Sequence, residues 1–385
     1  MTLVISIITI MYLLLIAGFI YGFDKIKEFK FANLQPKTTF SVIIPFRNEA
    51  KNLPKLLESV QSLKYPKHLF EVIFVNDFSE DDSVYLINSH LSNKPSTSID
   101  FSIINNISKT NSPKKEAITT AINHAKYEWI LTTDADCFLP VYWLDSFNEC
   151  IQKNKPKCIA APVTYQIEPG FLNRFQILDM LSLQGATIGG FGIKKPFLCN
   201  GANFAYQKKA FIEVNGFDGN TGIASGDDIF LLEKMVHQYP HQVQFLKCER
   251  AVVFTNSQNS WKELIAQRIR WAAKTSAYKN WFGKFTGIIV LLMNLMVLLS
   301  LVLLVFGLFK ANMLFYIIFI KFNMDAEIAI EKWYKSLDRA DKIRSKSNAS
   351  NLFKVGWMLL WFVILNILFL PGIYYLGKKR FCYFQ

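Results

Sequence analysis

Glu128-Trp-Ile-Leu-Thr-Thr-Asp-Ala-Asp136 is the stretch on which the fold turns. A short apolar, β-branched run, too brief for a helix, ends abruptly on two carboxylates two residues apart. Its hydrophobic residues do not alternate with polar ones, which predicts a strand buried on both faces, as in a parallel sheet. Upstream, Phe40-Ser-Val-Ile-Ile-Pro45 and Phe70-Glu-Val-Ile-Phe-Val75 read the same way, and Phe101-Ser-Ile-Ile104 is a further strand. Helical spacing separates them. Glu49 to Leu63 carries Leu53, Leu56, Leu57 and Val60 on one face, Ser83 to Leu91 is helical, and Pro113 opens a helix to about Ala125. Repeated β-α-β units joined by right-handed crossovers predict an α/β domain with a mostly parallel, mixed sheet covered on both faces. Ligands of such sheets sit beyond the carboxyl ends of the strands, where Pro45, Asp77 and Asp134/Asp136 all fall.

Outside this α/β stretch, taken as 38–280, the chain turns apolar. Of 385 residues, 51% are hydrophobic and 19% charged, with 43 Lys+Arg against 30 Asp+Glu and a net charge of +13. That balance excludes a disordered chain, a collagen-like chain and a disulfide-stapled miniprotein, and argues against a wholly soluble enzyme. Residues 1–23 hold no charge, and the positives Lys25, Lys27 and Lys30 come after the run. This pattern predicts an uncleaved transmembrane anchor with a cytoplasmic basic flank, the alternative being a buried core helix. A second charge-free run, Phe285 to Phe309, and the shorter Ala311 to Ile320 predict one or two spans within 283–323. A basic cytoplasmic segment, 324–354, precedes a last apolar run at 355–377 that reads as a transmembrane or, given Pro371-Gly372, a re-entrant helix. The expectation is a multi-pass protein of the cell membrane, three or four spans, with the middle region in the cytoplasm and membrane lipids as partners. Cysteine number 6 and are scattered, with no C-x-x-C pair, so no zinc framework is expected.

Several residues in the middle region could carry chemistry. Asp134-Ala-Asp136 offers hard oxygen ligands for Mg²⁺ or Mn²⁺ bridging a diphosphate, the alternative being an Asx-turn or a cap for a helix starting near Val141. Asp77, in Val75-Asn-Asp-Phe-Ser-Glu-Asp-Asp82, could accept the imide N–H of a uracil, or simply belong to a turn that caps the next helix. Lys114 and Lys115 open a helix, where an anion is favoured; a solvated pair fits as well. Asp227-Asp228, just before the apolar helix Ile229 to Val236, suits helix capping and suits a general base. Gln267-Arg268-Ile-Arg270-Trp271 lies on a helix before the second membrane run. It fits basic residues at lipid headgroups, or Arg contacts to phosphate with Trp271 stacked on a sugar.

Together these residues resemble the family 2 glycosyltransferases, inverting enzymes with the GT-A nucleotide-sugar-binding, Rossmann-like fold, over about Thr39 to Tyr278. Ser41-Val-Ile-Ile-Pro-Phe-Arg-Asn-Glu49 is similar to the family's opening strand and nucleotide loop, Val75-Asn-Asp77 to its uracil-binding motif, and Asp134-Ala-Asp136 to its metal motif. Asn200-Gly-Ala-Asn203 with Gly216-Phe-Asp218 resembles the acceptor-side segment. Gly226-Asp227-Asp228 stands at the catalytic-base motif, and Gln267 to Trp271 matches Q-x-x-R-W. Asp227 departs from the pattern, where Glu is commoner.

The resemblance implies that Asp77 reads the base, that Pro45 and Glu49 shape the nucleotide pocket, and that Lys114 or Lys115 approaches the donor. It implies Asp136 as metal ligand with Asp134 beside it, Asp228 as general base, and Arg268, Arg270 and Trp271 closing over the donor diphosphate or acceptor. The expected function is membrane-bound, inverting transfer of a sugar from a nucleotide sugar, a UDP-sugar first, to a lipid-linked or cell-envelope polysaccharide acceptor. A divalent metal (Mg or Mn) and an export or synthase partner subunit are implied with it. The rival expectation is a catalytically silent, nucleotide-sugar-binding assembly subunit. Nucleic acid is not an expected partner, since no fold motif or aromatic-interleaved basic patch accompanies the positive charge.

Overall fold

The computed structural model describes residues 2–92, 99–107, 110–273 and 277–326. The expected basic segment from residue 327 on and the apolar run 355–377 lie outside the described residues. Helix α1 (Thr2–Lys25) comes first, then β1 (Phe40–Phe46), α2 (Leu53–Gln61), β2 (Phe70–Asn76), α3 (Ser83–Ser92), β3 (Asp100–Asn105) and α4 (Pro113–His124). Next are β4 (Trp129–Thr132), β5 (Cys137–Phe138), α5 (Trp143–Asn154), β6 (Cys158–Ala160), β7 (Val163–Tyr165) and α6 (Phe171–Gly192). The rest comprises β8 (Phe204–Gln207), α7 (Lys208–Glu213), α8 (Asp227–Gln238), β9 (Val243–Phe245), β10 (Val253–Thr255), α9 (Trp261–Ala273), α10 (Trp281–Val305) and α11 (Ala311–Ala326).

These elements form two compact units. One holds Lys27–Thr164 and Leu198–Asn256; the other holds, among the described residues, the chain up to Ile26, Tyr165–Phe197 and the chain from Ser257 onward. Within the stretch 38–280, the chain thus enters the second unit twice.

The first unit is built on a seven-stranded sheet in the order β3-β2-β1-β4-β8-β6-β9. β1 runs parallel to both β2 and β4, and β3 is parallel to β2, while β8 is antiparallel to β4 and β6. The central strands are continuous hydrophobic runs because both faces are covered: all of β4 is buried, as are Phe40 to Ile44 and Phe70 to Val75. Leu53, Leu56, Leu57 and Val60 of α2 supply one covering layer, as their spacing requires. A smaller sheet has the order β5-β10-β7. Strand order reverses between β1 and β4, the kind of switch point beyond whose carboxyl ends open α/β sheets take their ligands in a crevice. The β1–β4 ladder stops at Ile43 and Thr132, two residues before Pro45, so the imino acid interrupts no bond to β4.

Residues 27–39 lie along this unit as a strap. Both oxygens of buried Glu149 on α5 accept backbone N–H groups, from Leu34 at 3.1 Å and Ala32 at 2.7 Å. Asn148 Oδ1 accepts the N–H groups of Lys37 and Thr38, each at 3.1 Å. Backbone that pairs with no strand must satisfy its amides somewhere; side chains of α5 take four of them, and the Lys247 carbonyl takes the Phe29 N–H at 2.8 Å.

In the second unit, α1 and α10 are long and apolar enough to cross a membrane, and Ala311–Lys321 is a shorter apolar helix. α1 meets α6 at backbone contact distance. A Cβ on Gly192 would sit 1.8 Å from the Gly22 oxygen, and one on Gly189 2.5 Å from the Phe19 oxygen. Only glycine permits that approach.

Candidate active site

The crevice at the β1–β4 switch point gathers most of the expected residues. β4 ends at Thr132, so Asp134 and Asp136 emerge at its carboxyl end, beside the loop that follows β1. Lys114, in the first turn of α4, donates from Nζ to Asp134 Oδ1 at 2.6 Å and lies 3.4 Å from Asp227 Oδ2. A single ammonium therefore joins the D-x-D turn to the acidic start of α8. Burial pushes Lys114 down, but the carboxylates of Asp134, Asp227 and Asp228 outweigh it and hold it well above its ordinary value. Lys115 points elsewhere: it is buried, donates to the carbonyls of Asn220 and Ile223 at 2.7 Å each, and lies over the Phe230 ring. It holds the 220–223 loop, while Lys114 faces the crevice.

Asp227 and Asp228 lie inside the first turn of α8, where the helix dipole favours negative charge. Asp228 Oδ1 accepts the Ile229 N–H at 2.8 Å and Oδ2 the Gly201 N–H at 3.4 Å. Gly201, in the turn before β8, touches both acids. A Cβ there would meet Asp227 Oδ2 at 2.8 Å and Asp228 Cβ at 3.5 Å. Its carbonyl accepts from Thr132 Oγ1 at 2.7 Å, which ties the acceptor-side segment Asn200–Asn203 to the end of β4. Asn203 itself is structural, with its amide on Pro162, Ala251 and the Trp143 indole.

Asp136 Oδ2 accepts from Thr255 Oγ1 of β10 at 3.1 Å. Burial and then the Asp134 charge push its carboxyl up, against opposing bonds from Thr255 and Cys137. Glu49 is raised too, by burial first, with an Asn52 bond opposing and Asp136 and Asp134 adding to the rise. The Asp134 and Asp136 carboxylates lie close enough for the charge of one to hold the proton of the other more tightly, and Glu49 feels both, a concentration of negative charge that a hard cation would offset. Among the described residues no cluster of three or more His, Cys, Asp or Glu forms a closed metal cage. Asp134 and Asp136, two carboxylates at a strand end, would suit a hard cation such as Mg²⁺ or Mn²⁺, which takes oxygen ligands and leaves positions open.

Asp77 follows β2. Its N–H donates to the Phe46 carbonyl at 2.9 Å, Asn106 Nδ2 donates to its Oδ1 at 2.7 Å, and Arg47 stands 3.8 Å from Oδ2. Next to it, Phe78 is exposed and has φ of 56°, a left-handed conformation unusual for a bulky side chain.

Gln267, Arg268, Arg270 and Trp271 lie on α9 in the other unit. Arg268 pairs with Asp179 of α6, donates to Gln267 Oε1 at 3.2 Å, and stacks 4.2 Å over the Trp271 ring. Tyr165 OH donates to Gln267 Oε1 at 3.4 Å. Arg270 is exposed. Sequence reasoning missed Gly201, Thr255, Asn106 and Asp179. Gly201 lay within a quoted motif, whereas the other three carry no local signal, since each acts on a residue far away in the chain.

Residues 41–214 match the Glycosyl transferase family 2 profile. A poly-β-1,6-N-acetyl-D-glucosamine synthase of Staphylococcus epidermidis is 26% identical over 270 residues, covering 67% of this chain and 61% of the synthase. The synthase of the same description from Staphylococcus aureus strain COL is 25% identical over 236 residues, 58% of this chain and 52% of the relative. The chain thus spans about three fifths or less of the length of these curated relatives. Among solved structures, a mannosyltransferase from Pyrobaculum calidifontis, in complex with GDP-Man and Mn²⁺, superimposes with a TM-score of 0.56 at 16% identity, covering 98% of this chain and 99% of that one. That likeness speaks for the fold. The Glycosyl transferase family group 2 profile covers residues 129–377, well over half of the sequence, and the chain belongs to the family 2 glycosyltransferases.

Proposed function

We propose that this protein is a membrane-bound, inverting glycosyltransferase that moves a sugar from a UDP-sugar to a lipid-linked or cell-envelope glycan. The observation that carries the reading is the Lys114 bridge between Asp134 and Asp227, which brings the diphosphate side and the base side of the crevice within one side chain's reach. Two long apolar helices support attachment to a membrane. The curated relatives are named for an N-acetylglucosamine polymer, so UDP-N-acetylglucosamine is the first donor to test.

Asp77, steadied by Asn106, accepts the base N–H. Asp134 and Asp136 would hold a divalent cation, which when bound would offset negative charge on the diphosphate. Asp228, held by the Gly201 and Ile229 amides, takes the proton of the acceptor hydroxyl. The acceptor oxygen bonds to the anomeric carbon as the bond to the diphosphate oxygen breaks and the electron pair leaves with UDP. One displacement inverts that carbon. Lys114 places a positive charge between Asp134 and Asp227.

The test uses full-length protein in membranes with radiolabelled UDP-N-acetylglucosamine and Mn²⁺. Asp228→Asn is expected to lower transfer by about 10²-fold or more, as loss of a general base does. Asp136→Asn is expected to abolish the metal response. Wild-type rates in both variants would overturn the reading.

A further inference from the structure

Helix α6 carries a polar stripe that the reaction scheme does not use. Asn173, Gln176 and Asp179 recur every three residues, so they share one face of the helix. Each reaches the segment that leads into α9 or α9 itself. Asn173 Nδ2 donates to Ser257 Oγ at 2.9 Å. Gln176 Nε2 donates to the Gln258 carbonyl at 2.9 Å, and its Oε1 accepts the Gln258 N–H at 2.8 Å. Asp179 accepts from Arg268. Phe171 and Phe175 of α6 also meet Trp261 at the start of α9. α6 is in turn seated on α1 through Gly189 and Gly192.

We propose that Asp179 is a positioning residue, pinning α9 through Arg268 and so fixing where Arg270 and Trp271 stand. The proposal rests on the reading of this protein as a glycosyltransferase whose α9 motif contacts the donor or acceptor. The Asp179 and Arg268 side chains are only 16% and 13% exposed, so the pair is shielded from water and salt, and breaking it strands a charge. Arg268 is also bound to Gln267 and stacked on Trp271, so one ion pair orients three residues of the motif. That leaves Arg268 a strut. The guanidinium left to meet an anion is Arg270, which is exposed and, among the described residues, makes no ion pair.

The experiment combines hydrogen–deuterium exchange of the 261–273 peptide, calorimetric UDP affinity with Mn²⁺, and donor turnover, all on full-length protein in detergent. For Asp179→Asn the expected result is faster exchange confined to 261–273, with UDP affinity or turnover reduced about tenfold, the loss typical of a charge-assisted hydrogen bond. Asp179→Glu should restore most of both. Arg270→Ala should weaken UDP binding or turnover with exchange unchanged. If Asp179→Asn does not fold, Arg268→Lys, which keeps the charge but loses the planar fork, takes its place with the same expectations. Unchanged exchange in 261–273 overturns the proposal, as does faster exchange with affinity and turnover at wild-type values. A wild type that neither binds UDP nor consumes any donor overturns the proposed function instead, and the exchange measurement still decides whether Asp179 pins α9.

Discussion

Gly201 shows how little room a single residue has in the crevice. Its missing Cβ leaves space for the Asp227 carboxylate, and its N–H holds Asp228. Gly201→Ala is expected to push Asp227 aside and cut transfer by about 10²-fold while the melting temperature stays near wild type, because misplacement by a fraction of an ångström is costly in catalysis and cheap in folding. Transfer assay and thermal denaturation on the same preparation check both halves. Glu49 makes the opposite kind of prediction. Its folded value lies above the ordinary 4.5, so the folded chain holds that proton more tightly than the unfolded chain. The stability this contributes is present below pH 4.5 and is lost as pH rises through the raised value. Glu49→Gln, neutral throughout and still able to accept from Asn52, should melt higher than wild type at about pH 7 in chelator and lose that advantage toward about pH 4. Equal differences at both pH values would contradict the assignment.

At the scale of elements, α5 and α6 do more than cover a core. Glu149 of α5 holds the strap of residues 27–39. Burial alone would push its carboxyl up, yet the Ala32 and Leu34 amides and Lys153 outweigh it and keep it below its ordinary value. Its contribution is therefore present above the ordinary carboxylate range and lost as pH falls through the depressed value. Glu149→Ala strands two backbone amides and should cost about 2 kcal/mol. The strap should then be cut faster by trypsin after Lys27 and Lys30, read as a new N-terminal fragment. The α1–α6 contact is stricter. A methyl group on Gly192 would overlap the Gly22 backbone, which has no rotamer to yield, so Gly192→Ala should destabilise by about 3 kcal/mol or more. Alanine at Gly170, where an added Cβ would meet no atom within 4 Å beyond its chain neighbours, tests backbone strain alone, since φ there is +122°.

On the scale of the whole molecule, two kinds of unit explain the composition. One is an ordinary α/β domain. The other collects α1, α10, α11 and two excursions from the middle of the chain, and it holds most of the described exposed large hydrophobic residues. Exposed apolar surface on that scale needs lipid or protein to cover it. Full-length protein should accordingly remain with the membrane pellet after alkaline carbonate washing, and release into the supernatant would count against a spanning role for α1 and α10.

How much of this was legible in the sequence follows from the range of the forces involved. Buried parallel strands and amphipathic helices announce themselves by local periodicity, so β1 to β4 and α2 to α4 lie within a residue or a few of where the pattern puts them. Motif residues at strand ends were legible for the same reason: Asp77, Asp134 and Asp136 follow directly from where a strand must stop. Lys114 and Lys115 were not separable, because adjacent residues on a helix face different neighbours and only packing shows which neighbour is a carboxylate. Nor does local periodicity mark α6, whose apolar residues lie all round the helix. The sequence by itself determined the α/β class, the apolar ends and the set of acids, since these depend on local pattern and composition. Only the tertiary structure decided that Lys114 bridges Asp134 to Asp227, that Gly201 seats Asp228, and that Asp179 holds Arg268. Those pairings join residues far apart in the chain, and local periodicity carries no record of them.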